Sequence, residues 1–195
     1  MRIILASQSP ERLNLLKQIG LNPIVIVSKF EENLSKTLPP HEFVTKTAEG
    51  KLGVVVEEAK KDGREFDVIV AADTVIAFEG EIIGKPTDDD EARKTLNRLS
   101  GLRHAVFTGV SLYFSDGEQH SFHVETSVLF RKLCPTLIED YVATKEPIGR
   151  AGSYGIQRKG SVLVERIDGC HSNIVGLPLS KLAEELEKKG LRLWG

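Results

Sequence analysis

Apolar and polar positions alternate along this chain in a way that separates strands from helices with little ambiguity. Arg2–Leu5 is a short apolar run of the buried-strand type, followed over 9–19 by Leu13, Leu15, Leu16 and Ile19 at helical spacing. Ser9 is placed to cap that helix, Pro10 occupies its first position and Gly20 follows its end. Asn22–Val27 predicts a second strand. A long helix is expected over 41–61, preceded by Pro39 and Pro40. The strongest strand signal is F-D-V-I-V-A-A-D-T-V-I-A-F at 66–78, which turns at Glu79–Gly80 into a short strand over 81–83.

Residues 88–99 predict a helix closed by Gly101, and 103–130 alternate as a long hairpin turning at Ser115–Gly117. A helix over 135–144, a strand over 161–167 and a last helix over 179–189 complete the series. Crossover and hairpin connections both occur, so a mixed β-sheet flanked by helices is predicted, in one domain spanning 1–195.

Composition narrows the function only by exclusion. Among 195 residues, 41% are hydrophobic and 28% charged, the usual balance of a globular domain. The formal net charge of −2 supplies no global field for nucleic acid or acidic membrane, so any anion site is local. The only cysteines, Cys134 and Cys170, lack metal-ligand spacing, and no apolar segment is long enough for a signal core or a bilayer span. A cytoplasmic chain with reduced thiols, bound to neither nucleic acid polymer nor membrane, is expected.

Against that background Asp73 stands out. A carboxylate inside V-I-V-A-A-D-T-V-I is costly to bury without partners. It is either a strand-end residue bonded to backbone or water, or a metal ligand or general base. Lys85, in I-I-G-K-P, is either a solvated turn lysine or a cation held in place by Gly84 and Pro86. Lys51 reads as a solvated helical lysine.

L-A-S-Q-S-P-E-R at 5–12 is either simple capping or an anion site at a helix N-terminus, with Ser7, Ser9 and Arg12 around the free amides. A-G-S-Y-G-I-Q at 151–157 has the composition of a binding loop, and the Gln157 amide can read a base edge. Glu31 and Glu32 form a charge pair. His104, His120, His123 and His171 have no metal-site spacing. The phosphate-loop, dinucleotide-binding, zinc-protease and serine-hydrolase motifs are all missing.

Taken in order, L-A-S-Q-S-P-x-R, V-S-x-x-E-E at 27–32, A-D-T-V at 72–75, G-K-P at 84–86, L-S-G-x-x-H-x-V-x-T-x-V at 99–110, T-K-E-P at 144–147, A-G-S-Y-G-I-Q, I-D-G at 167–169 and V-G-L-P-L-S at 175–180 resemble the Maf family of nucleoside triphosphate pyrophosphatases. The resemblance implies an elongated α/β fold of the inosine triphosphate pyrophosphatase type, with two lobes around a central cleft. It implies cleavage of a nucleoside triphosphate between the α and β phosphates, with Mg²⁺ or Mn²⁺ as cofactor. The G-I-Q places the chain with members acting on dTTP and UTP, and modified pyrimidine nucleotides are compatible substrates.

Carried over by position, the resemblance makes Asp73 the proton acceptor and, with Glu31, a metal ligand. Ser7, Ser9, Arg12, Lys51 and Lys85 are implied to bind substrate, while Glu11, Thr74 and Gln157 are implied to set specificity. Glu11 departs from the family pattern, because dTTP/UTP members typically carry S-P-R-R where this chain has S-P-E-R. A carboxylate there suits the helix dipole but repels a triphosphate unless a metal or lysine bridges the two. The departure supports an alternative, a non-catalytic nucleotide-binding regulator of cell division. Relatives are often dimeric, which makes a homodimer an expected arrangement.

Overall fold

The computed structural model describes residues 1–31 and 38–194. Among these, seven strands form one mixed sheet in the order β2-β1-β3-β5-β6-β7, with β4 paired to β3. The strands are β1 (Ile3–Leu5), β2 (Ile24–Val25), β3 (Val68–Phe78), β4 (Glu81–Ile83), β5 (Arg103–Phe114), β6 (Gln119–Phe130) and β7 (Val164–Asp168). The helices are α1 (Pro10–Gln18), α2 (Pro40–Lys61), α3 (Asp89–Leu99), α4 (Pro135–Ala143), α5 (His171–Val175) and α6 (Leu179–Lys188). β1 runs parallel to β2 and β3, and the remaining pairings are antiparallel.

β3 is the axis of the molecule. Its apolar run is buried along nearly its whole length because helices cover both faces, which explains why its sequence lacks the alternation of a half-exposed strand. On one face of its first half, Val68, Val70 and Ala72 pack with Leu15 and Leu16 of α1 and Leu182 and Leu186 of α6. On the other face, Ile69 and Ala71 meet Leu52, Val55, Val56 and Ala59 of α2. The far half is covered separately, by Ala92, Leu96 and Leu99 of α3 with Ile138, Tyr141 and Val142 of α4. Two packed regions thus share one set of long strands, matching the expected two lobes. Each fully buried leucine here contributes about 2 kcal/mol of transfer free energy.

α2 approaches the sheet unusually closely. A Cβ added to Gly109 of β5 would stand 2.4 Å from the carbonyl carbon and oxygen of Val44, so only glycine lets this helix backbone touch the strand.

Several expected boundaries change. The strand expected over 22–27 pairs only at Ile24 and Val25, both exposed on a sheet edge, since Pro23 has no N–H to give a ladder. The strand expected over 161–167 begins at Val164, after a 3-10 turn over Lys159–Leu163. That turn is held because Glu146 accepts the backbone N–H groups of Lys159 and Gly160. α5 was not expected at all. Its five residues are too few to carry a helical period. No helix among the described residues is long and apolar enough to cross a membrane.

Candidate active site

Ser9 forms the N-cap as its position predicts, its Oγ accepting the Arg12 N–H at 3.4 Å. Ser7 has a different task. Its Oγ accepts the Ser9 N–H at 3.2 Å and one guanidinium N–H of Arg12 at 3.1 Å. One serine starts the helix and the other orients the arginine, so the capping and anion-site readings of this stretch are not exclusive.

Arg12 is also gripped from two further directions by distant parts of the chain. Nε donates to the Gly176 carbonyl at 2.8 Å and Nη2 to Thr74 Oγ1 at 3.1 Å. A guanidinium can only donate, so Thr74 Oγ1 accepts from it; and because Thr108 spends its one proton on the Asn173 carbonyl, Thr74 is the donor to Thr108 Oγ1, 2.9 Å away. Thr108 in turn donates to the Asn173 carbonyl at 2.9 Å. A directed relay therefore runs from Arg12 through Thr74 and Thr108 to α5. Strand register makes it possible, since Thr74 of β3 lies opposite Thr108 of β5. The Asn173 amide secures the far end, donating to the Val106 carbonyl and to Thr126.

Asp73, the neighbour of Thr74 on β3, is only 8% exposed, and Lys51 of α2 donates to its Oδ1 at 2.7 Å. Both side chains are largely covered, so this is a desolvated ion pair rather than a surface one. No described residue donates to the second carboxylate oxygen, which stays accessible.

Across the site, β4 ends in the Gly84–Lys85 turn. Gly152 pins it by donating its N–H to the Gly84 carbonyl at 3.1 Å. Lys85 is exposed and forms no ion pair with a described residue. The loop after Gly152 is braced from behind, where the Tyr141 hydroxyl accepts the Gly155 N–H and donates to Glu146. Tyr154 packs inward with its hydroxyl 2.9 Å from His104 Nε2, and burial pushes its phenol well above the ordinary range. Gln157 is exposed at the cavity edge, its amide bonded to no described residue.

These walls enclose a cleft of about 790 Å³, within the size range of small-molecule sites. Ser7, Ser9, Glu11, Arg12, Lys51, Asp73, Thr74, Lys85 and Gln157 all line it. Glu31 does not. It is exposed, one residue beyond Phe30, which does line the cleft. Glu32 lies outside the described residues.

Glu11 finds partners of a kind not expected. Its Oε1 lies 3.5 Å from Nη2 of Arg150 and 3.5 Å from Nη2 of Arg158, so arginines rather than a lysine or metal balance its charge. The signal for both was present in R-A-G-S-Y-G-I-Q-R, where a cation stands on each side of the loop motif. Thr108, Asn173 and Gly176 were likewise not anticipated as parts of the site.

No group of three or more His, Cys, Asp or Glu side chains among the described residues could hold a metal ion. The accessible oxygen of Asp73 is a hard donor of the kind Mg²⁺ and Mn²⁺ prefer. Such ions are commonly held by one or two carboxylates, with substrate phosphates and water completing the shell. The residues present therefore fit a cation that arrives with a phosphate ligand rather than a permanently caged one.

The chain is 41% identical over 195 residues to a dTTP/UTP pyrophosphatase of Caldicellulosiruptor bescii, covering 98% of this chain and 96% of the relative. It is 44% identical to a dTTP/UTP pyrophosphatase of Thermosipho africanus, covering 98% and 95% respectively. A solved nucleoside-triphosphatase / dITP/XTP pyrophosphatase from Mycobacterium abscessus is 17% identical, with a TM-score of 0.42 over 67% of this chain and 74% of that one. The model of the family described as Maf-like protein matches residues 2–189, and the chain belongs to that family.

Proposed function

We propose that this protein hydrolyses nucleoside triphosphates between the α and β phosphates, adding one water to give the monophosphate and pyrophosphate, with dTTP and UTP as substrates. The observation that carries this reading is the buried Asp73–Lys51 pair on the floor of a cleft rimmed by Arg12, Lys85 and the N-terminus of α1. The printed activity of relatives at 41% and 44% identity supports it. Modified pyrimidine triphosphates belong in the same substrate class.

Asp73 is the proton acceptor for the attacking water. Asp73 lines the cleft while Lys51 holds one of its oxygens, which keeps the carboxylate oriented for general-base work. Arg12, Lys85, Ser7 and the Glu11 N–H at the start of α1 bind the phosphates, and Lys51 joins them once substrate enters. Gln157 and Thr74 take part in the choice of base. Asp73 would hold a divalent cation, with substrate phosphates and water completing its shell. Such a cation, when bound, supplies charge neutralisation on the phosphate oxygens.

The alternative of a non-catalytic regulator drew its support from Glu11, and pairing with Arg150 and Arg158 removes that support. Pyrophosphate release from a panel of canonical and modified nucleotides, with Mg²⁺ and with Mn²⁺, tests the reading. Release from dTTP and UTP is expected, and no release from any nucleotide would overturn it.

A further inference from the structure

The cleft wall formed by residues 148–157 carries an arginine to which the mechanism above gives no task. Arg150 lines the cleft with its side chain 25% exposed. A Cβ on Gly155 would lie 2.7 Å from its Nη1, 2.9 Å from Cζ and 3.1 Å from Nε. The guanidinium therefore rests on the loop backbone in space that only a glycine leaves open.

Glu11 Oε1 approaches both Arg150 and Arg158 at 3.5 Å, so one carboxylate oxygen is shared between two full positive charges. Among the described residues no acceptor takes a hydrogen bond from the Arg150 side chain. An oriented guanidinium with unspent donors, facing a cleft, is suited to bidentate contact with phosphate oxygens.

We propose that Arg150 is a further substrate-contacting residue, one that binds the phosphate chain, and that Glu11 is its positioning residue. In the ligand-free protein the Glu11 carboxylate holds the guanidinium over the cleft, and it yields the guanidinium when phosphate arrives. The carboxylate at position 11, which alone would repel phosphate, thus holds a cation at the cleft. This inference rests on the reading of the cleft as a triphosphate site.

The test measures binding rather than turnover, using inorganic tripolyphosphate and UMP as calorimetric probes in the presence of Mg²⁺. Arg150→Gln is expected to weaken tripolyphosphate binding by about tenfold or more while changing UMP by less than about threefold. Arg150→Lys, which keeps the charge but loses the fork, is expected to cost about threefold. Glu11→Gln removes the charge that positions Arg150 and is expected to weaken tripolyphosphate binding by about threefold, an effect that disappears in the Arg150→Gln background.

Unchanged tripolyphosphate binding in Arg150→Gln overturns the proposal, as does an equal loss of UMP or an effect of Glu11→Gln that persists without Arg150. Should Arg150→Gln fail to fold, Arg150→Lys decides alone, and no loss there overturns the proposal. A wild-type protein that does not bind tripolyphosphate overturns the triphosphate-site reading itself, whereas normal wild-type binding with an indifferent Arg150→Gln overturns only this inference.

Discussion

Lys51 of α2 and Asp73 of β3 meet at 2.7 Å in the floor of the cleft, although 22 residues separate them in sequence. The contact exists because α2 lies directly on the sheet and directs a lysine toward the one carboxylate inside β3. It orients that carboxylate without covering both of its oxygens.

Asp73→Asn should therefore lose turnover while keeping structure. The amide oxygen can still accept from Lys51, but the side chain can no longer take a proton from water. A loss between about a hundredfold and ten-thousandfold in pyrophosphate release is expected, with nucleotide still raising the melting temperature. Retained turnover would contradict the assignment of Asp73 as base.

Arg12→Lys should fail despite preserving charge. Arg12 serves Gly176, Ser7 and Thr74 through a planar fork, and a lysine ammonium cannot reach all three. A rise in KM of about tenfold is expected, with about 1–3 kcal/mol lost in urea unfolding as buried acceptors go unpaired. Wild-type values of both would show that the relay through Thr74 does not matter.

Two glycine replacements should move stability in opposite directions. Gly109→Ala drives a methyl into the backbone of Val44 and should cost about 3 kcal/mol by separating α2 from β5. Gly53→Ala, inside the same helix and with nothing within 4 Å of its new methyl, should add about 0.5–1 kcal/mol. Chemical denaturation of the pair checks both signs.

His104 should make the fold acid-sensitive. Burial lowers its pKa from 6.5 to about 4 in the folded protein. Between those values the unfolded chain binds a proton that the folded one refuses, so stability is present above pH 6.5 and is lost as pH falls toward 4. The full contribution is about 3 kcal/mol. His104→Leu should flatten this part of the profile, whatever it does to stability at neutral pH, and an unchanged slope would refute the cause.

The parts of the site that were legible in sequence are those built by neighbouring residues. Ser9 and Pro10 begin α1 through bonds within one turn, and Asp73 is conspicuous because its own strand is so apolar. The roles of Ser7 and Lys51 were not legible. Ser7 orients Arg12 through the particular shape of the turn between β1 and α1, and Lys51 reads as an ordinary solvated lysine until α2 is laid on the sheet.

By itself, the sequence determined the elements and the list of charged and hydroxyl residues available for a phosphate site, since hydrophobic period, caps and turns act over a few residues. Tertiary structure alone decided which of them touch. The β3–β5 register put Thr74 opposite Thr108 and so carried Arg12's hydrogen bonding through to α5. Docking of the late loop against α1 placed Arg150 and Arg158 on Glu11, turning an anion that would repel phosphate into a partner of two cations. These pairings depend on groups brought together from distant positions, where charge and hydrogen-bond energies fall off within a few ångströms, and no local pattern encodes such distances.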